Sequence, residues 1–197
     1  IDINTGEVKW YQDILKDGAA ENLEWGMSGS PLLLGDLVVV NPGGPISATG
    51  DALVAYDKTT GDVVWGIGEE QAAYASPVAR TIGGVEQILV LEATEVVSYA
   101  SDGSTKLWSF PWETQNGINC SQPIMVTPNR VLITAGYTKG SALLEVTQDD
   151  QGTWNAEPVW VETSLRGKFS TPIAHAVHIF GLDEGVLVCI DAETGKR

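Results

Sequence analysis

The sequence predicts an all-β fold, a β-propeller segment made of four-stranded antiparallel blades, with about four blades' worth of chain in 197 residues. Three observations carry the prediction. First, segments that join small polar residues to a proline recur as SGSPLLLGDLVVV, YASPVARTIGGVEQILVL, NCSQPIMVTPNRVLITAG and KFSTPIAHAVHIFGL, and Pro31, Pro77, Pro123 and Pro172 are spaced 46, 46 and 49 residues apart. Second, each period is filled with short runs rich in Val, Leu and aromatic residues, broken by Gly, Pro, Asn and Asp, without a helical stripe of useful length. Third, a polar turn that feeds a tryptophan returns, as DINTGEVKW at the start, DKTTGDVVW in the middle and DAETGKR at the end. A period in the forties holding four antiparallel strands is the mark of a propeller blade. Such a sheet cannot cover both its faces alone and must stack on its neighbours.

Along the chain, residues 1–14 read as a partial blade, residues 28–67, 75–110 and 121–162 as whole blades, and residues 168–197 as a second partial blade, all within one domain. Each opening proline suits an innermost strand, whose first position need not donate to a ladder. In the second whole blade, strands are expected at 78–81, 87–92, 96–100 and 106–110.

The recurring turn has a physical reading. The Asp57 carboxylate can accept N–H groups of the turn, Thr60 completes it, and Gly61 supplies a positive φ that other residues resist. Trp65 follows, placed to wedge between one blade and the next. Asp2, Thr5, Gly6 and Trp10 form a second full copy. The third is shortened and ends at Trp108; the fourth is replaced by residues 148–154, with Trp160 expected in the docking position; the fifth, Asp191, Thr194 and Gly195, stops before any tryptophan. Two arrangements follow. Either further blades outside this segment complete a larger ring, or residues 2–10 supply the outer strand of the sheet begun by residues 168–191 and close a ring of four. An open arc would expose apolar blade faces and favour self-association through them.

These residues resemble the quinoprotein-like propellers, whose repeat reads A-x-D-x-x-T-G-x-x-x-W; the stretch from Ala55 to Trp65 matches it without a break. The phrases WGMSGSPLLLGDLVVVNPGG, LVAYDKTTGDVVW and LWSFPWET are similar to those of the bacterial PQQ-like repeat proteins grouped with BamB, and the similarity covers essentially the whole chain. The resemblance implies a seven- or eight-bladed ring, which favours the first arrangement. It further implies a periplasmic or secreted location and a non-catalytic scaffold that binds a protein partner or another ligand, without a cofactor. The alternative within the same resemblance is a PQQ-dependent dehydrogenase using quinone and calcium. That enzyme's adjacent cysteine pair and its Glu, Asn and Asp ligands cannot be assigned here. A third reading is a binding propeller serving as a sensor or as an appendage to a lytic enzyme.

Composition narrows the partners. With 26 acidic against 11 basic residues and a net charge of -15, the summed field repels phosphate backbones, so no nucleic-acid partner is expected. No apolar run reaches the ~18 residues a membrane helix needs, so no membrane insertion is expected. The first residues lack the basic and apolar regions of a leader, which an exported protein would carry outside this segment. Cys120 and Cys189 read as buried or half-buried thiols, with a single long-range disulfide as the other option. His175 and His178, three apart, would point to opposite faces of a strand rather than share a metal. Gly26-Met-Ser-Gly fails the nucleophile-elbow pattern, Gly66-Ile-Gly68 lacks the third glycine of a dinucleotide loop, and the sequon Asn119-Cys-Ser121 reads as accidental.

Recognition therefore falls to loops held by a rigid frame. The longest are residues 11–27 with Trp25, residues 41–50, residues 111–119 with Trp112, Gln115 and Asn116, and residues 164–168 with Arg166. Trp25 and Trp112 have an equally ordinary role open to them, fixing a loop against its blade.

Overall fold

The computed structural model describes residues 1–44 and 50–197, and in these the chain is built almost wholly of antiparallel strands. Blade 1 holds β1 (Leu32–Leu34), β2 (Leu37–Val40), β3 (Leu53–Asp57) and β4 (Val63–Ile67). Blade 2 holds β5 (Val78–Ile82), β6 (Val85–Leu91), β7 (Glu95–Ala100) and β8 (Lys106–Pro111). Blade 3 holds β9 (Ile124–Thr127), β10 (Arg130–Ala135), β11 (Gly140–Gln148) and β12 (Trp154–Glu162). A fourth sheet has three strands, β13 (Ile173–His175), β14 (His178–Asp183) and β15 (Val186–Asp191). Within each sheet the strands pair in chain order as a simple meander. The strands expected in blade 2 are found to within two residues, and the four prolines each stand one residue before an inner strand. Two short helical turns escape any periodicity test because they are shorter than a stripe: α1 (Ile14–Asp17), capped by Asp13 accepting from the Lys16 amide at 3.3 Å, and a 3₁₀ turn at Gln115–Gly117.

Period-two alternation explains why apolar runs such as ILVL in β6 are unbroken. Ile88 and Val90 face blade 1, where they meet Val39, Leu53 and Ala55; Leu89 and Leu91 face blade 3, where they meet Val131, Ile133 and Leu144. In β10, Leu132 turns the other way and joins Ile179 and Ile190 of the fourth sheet. The core is thus three slabs, each lying between successive sheets. On the fourth sheet only the side toward blade 3 is covered, and Phe180, Leu182 and Leu187 lie exposed.

The tryptophans that follow the polar turns reach forward onto the next turn. The Trp10 ring lies over Gly61, whose φ is +80° and whose absent Cβ would stand 2.7 Å from it; the Trp160 ring lies over Gly195, φ +70°, at 2.8 Å; and Trp65 lies over Gly103, φ +73°, where a Cβ would overlap the ring. The Trp10 indole N–H donates to the Lys58 carbonyl and that of Trp160 to the Ala192 carbonyl, each at 3.0 Å. Trp65's indole nitrogen is buried without a partner among the described residues. Trp108 does otherwise. The nine-residue strands of the β11–β12 hairpin carry Gly152 out of its reach. Trp108 packs instead among Val131, Ala142 and Leu144, its N–H donating to Gln87 Oε1 at 2.9 Å. Closure of a four-bladed ring by residues 2–10 is not formed: residues 1–10 contain no strand, and Trp10 serves blade 1.

The turns themselves are built alike. The Asp2, Asp57 and Asp191 carboxylates accept amides two or three residues on, Thr60's reaching Asp57 at 2.8 Å, and Asp191 also accepts the Thr194 hydroxyl at 2.8 Å; the Thr194 hydroxyl at Asp191 and the amides at the other two hold all three carboxyls below the usual range. The two indole environments make a direct comparison. Trp160→Phe loses a hydrogen bond and unfolds about 1 kcal/mol more easily than the corresponding Trp65→Phe, which loses none; urea midpoints of the two variants measure the difference.

Candidate ligand-binding hollow at the start of the inner strands

The four inner strands begin side by side, and the residues just before their prolines tie each blade to the next. The Ser30 amide donates to Ser76 Oγ at 2.7 Å, the Tyr74 amide to the Asn119 carbonyl at 2.8 Å, and the Gln122 amide to Thr171 Oγ1 at 3.1 Å. Ser28 Oγ donates to the Tyr74 carbonyl at 3.3 Å and Ser121 Oγ to the Ser170 carbonyl at 2.6 Å. The Ser30–Ser76 and Gln122–Thr171 bonds join the same repeat position, one residue before each proline; Ser28–Tyr74 and Ser121–Ser170 join the positions three and two before it, and Tyr74–Asn119 joins neighbouring positions of the same loops.

They surround a hollow of about 680 Å³. The positions three before each proline, Ser28, Tyr74, Cys120 and Phe169, contribute to its wall, and the positions one before, Ser76, Gln122 and Thr171, form its floor. Trp25, Ile118 and Tyr137 complete the lining. Trp25 is 60 % exposed and meets Tyr74 at 6.0 Å between ring centroids, tilted by 50°. Phe169 is 73 % exposed. The Lys168 ammonium lies 4.3 Å from the centre of the Tyr137 ring and 5.3 Å from that of Phe169. Burial pushes the Cys120 thiol above its ordinary pKa, and the charge of Lys168 works against that rise.

Of the loop residues singled out from sequence, Trp25 lies in this wall and the others do not. Trp112 is 2 % exposed and fills the slab between blades 2 and 3, with Lys139 at 4.5 Å over its ring, so it is a packing residue rather than a surface anchor. Gln115 and Asn116 are exposed on the 3₁₀ turn, away from the lining. Arg166 is ion-paired: its Nε donates to buried Asp183 at 2.5 Å, and Asp183 also meets Arg197. It borders a second, smaller hollow of about 540 Å³ shared with Lys168 and Phe169. The loop at residues 41–50 falls partly outside the described residues.

The histidine and Cys189 expectations need correction. His175 and His178 are cross-strand partners, facing each other across a two-residue turn in which Ala176 adopts φ +52°. The opposite-face reading assumed one continuous strand, and no glycine or asparagine marked the turn. Cys189 is exposed, and both cysteines are free. Asn119 is fully buried, its amide donating to the Glu92 carbonyl at 2.7 Å, which leaves the sequon inaccessible. A quinone with calcium does not fit the residues present: the lining of the large hollow offers no carboxylate, Cys120 stands in the loop before β9 and Cys189 in β15, and among the described residues no three His, Cys, Asp or Glu side chains converge.

Glu92, just past β6, is fully buried. It accepts from the Tyr99 hydroxyl at 3.3 Å, and its second oxygen has no partner among the described residues. Burial, with Glu95 and Glu70 nearby, pushes its carboxyl up to about 8.

Sequence reasoning missed Tyr74, Ser76, Cys120, Gln122, Phe169 and Thr171. The signal was present, since all stand one or three positions before an aligned proline. Residue type hid it, because the wall positions are Ser, Tyr, Cys and Phe in turn.

Comparison with known proteins accords with this architecture. No curated protein matches the chain. Among solved structures, the crystal structure of BamB from Moraxella catarrhalis superimposes with a TM-score of 0.51 at 16 % sequence identity, covering 89 % of this chain and 64 % of that one. The chain thus spans less than two thirds of that protein's length, and the likeness is one of fold. Among the described residues, no helix is long and apolar enough to cross a membrane. A family model described as outer membrane protein assembly factor BamB matches residues 1–197. With repeat, blades and match in agreement over its whole length, the chain belongs to the BamB family of PQQ-like propellers.

Proposed function

We propose that the protein is a non-catalytic scaffold outside the cytoplasm, which holds a segment of a protein partner in the large hollow during the assembly of outer membrane proteins. Family membership supports the setting. The observation that supports the contact is a pair of exposed rings, Trp25 and Phe169, set over a floor that hydrogen bonds lock from blade to blade. Exposed aromatics on a rigid rim are the usual anchors of recognition.

The test is a photoreactive amino acid placed at position 25 of the full-length protein in a Gram-negative host, with exposed Val64 of β4 as the control position. The expected result is envelope-fraction protein that cross-links to an envelope polypeptide from position 25 and not from 64, with Phe169→Ala reducing the yield at least about fivefold. Cytoplasmic location, equal adducts from both positions, or dye-linked alcohol oxidation on adding quinone and calcium would each overturn the proposal.

A further inference from the structure

The chain carries 26 acidic residues, yet no carboxylate lines the large hollow among the described residues. The formal charge held against its walls is positive. Six of the eleven basic side chains find acids among the described residues, as Lys106 meets Glu95 at 2.6 Å, Arg130 meets Glu193 at 2.7 Å and Arg166 meets Asp183 at 2.5 Å, whereas Lys16, Arg80, Lys139 and Lys196 do not. Lys168 makes no ion pair among the described residues, and rests its ammonium on the Tyr137 and Phe169 rings. A cation–π contact fixes where an ammonium sits without neutralising it. Gly136 reinforces the position, because the Lys168 stem lies where its Cβ would be, at 2.8 Å.

The floor adds hydrogen-bond donors. Ser76 Oγ and Thr171 Oγ1 each accept a backbone amide from the preceding blade, at 2.7 and 3.1 Å. Each hydroxyl keeps its own O–H to offer. Aromatic lining and two hydroxyl donors thus stand beside one unneutralised ammonium, that of Lys168, which lines the adjoining hollow and borders the large one at the Tyr137 and Phe169 rings; together they complement a carboxylate attached to an apolar group.

Resting on the function proposed above, we infer that the hollow takes a peptide segment in which a carboxylate adjoins an aromatic or aliphatic side chain, the carboxylate meeting Lys168 and the apolar side chain lying between Trp25 and Phe169. Two sources share this chemistry, a C-terminal carboxylate and an Asp or Glu side chain. The net charge of -15 opposes an anionic guest at long range. That opposition is screened beyond about 10 Å at 0.1 M salt, whereas the contact with Lys168 is not.

Fluorescence anisotropy of the full-length protein with three labelled peptides tests the inference: one ending in phenylalanine with a free carboxylate, the same peptide amidated, and an amidated peptide with glutamate beside the phenylalanine. The expected result is that at least one carboxylate peptide binds about tenfold or more tightly than the plain amide, and which one does so identifies the source. Lys168→Met abolishes the difference without changing the amide's affinity, and Lys168→Arg restores it. Equal binding of acid and amide, both weakened by Trp25→Ala, overturns the inference and leaves the proposed contact standing. Discrimination that survives Lys168→Met overturns it too. Binding of no peptide, including the case in which a fatty acid alone binds, overturns both.

Discussion

Glu92→Gln is expected to raise the unfolding midpoint in urea at pH 8 and to leave it nearly unchanged near pH 4. The folded protein holds this carboxyl at a pKa of about 8, against 4.5 for an ordinary glutamate. Between those values the unfolded chain has released its proton while the folded chain has kept it. Stability assigned to this group is therefore complete below about pH 4.5 and is lost progressively as pH rises to about 8. The loss over the whole window is on the order of 5 kcal/mol, since each pKa unit corresponds to about 1.4 kcal/mol. Glutamine keeps the shape and the acceptor for Tyr99, and carries no proton to lose. A variant whose midpoint declines with pH as steeply as the parent's would show that Glu92 is not the group responsible.

Gly103→Ala is expected to cost about 3–5 kcal/mol, from two sources. A side chain at φ +73° costs about 1–2 kcal/mol. The added methyl also takes the place of the Trp65 ring, which must lift and uncover the slab between blades 1 and 2, at a cost comparable to truncating a large core side chain. Gly35 provides the control, because its φ is +57° and nothing lies within 4 Å of where a Cβ would go. Gly35→Ala should cost the backbone strain alone. Denaturant midpoints of the two variants measure the ring's share, and equal costs would mean that the indole adds nothing to the blade junction.

The blades were legible because each strand of the interior is covered on both faces, which writes unbroken apolar runs such as ILVL and VLI at a nearly constant period. The forward-reaching tryptophans were legible because turn and ring are joined by a short, nearly fixed spacing. The hollow was not. Its residues stand in different blades, about one period apart, and only the curvature of the stacked sheets brings them to one place. Trp112 shows the limit of composition, since an indole in a loop reads the same whether it faces solvent or, as here, fills a gap between blades. His175 and His178 show the limit of spacing, since a turn made of Ala176 and Val177 carries none of the residues that usually announce one.

The direction in which the indoles reach also sets an order in time. A chain that emerges N-terminus first must wait for Gly61, 51 residues after Trp10, and for Gly195, 35 residues after Trp160, before those rings are covered. At ribosomal speeds of about 5–20 residues per second the longer wait is roughly 3–10 s. Throughout synthesis the newest complete unit therefore carries a bare tryptophan at its growing side, a single greasy handle that moves along the nascent polypeptide and vanishes as each successor arrives.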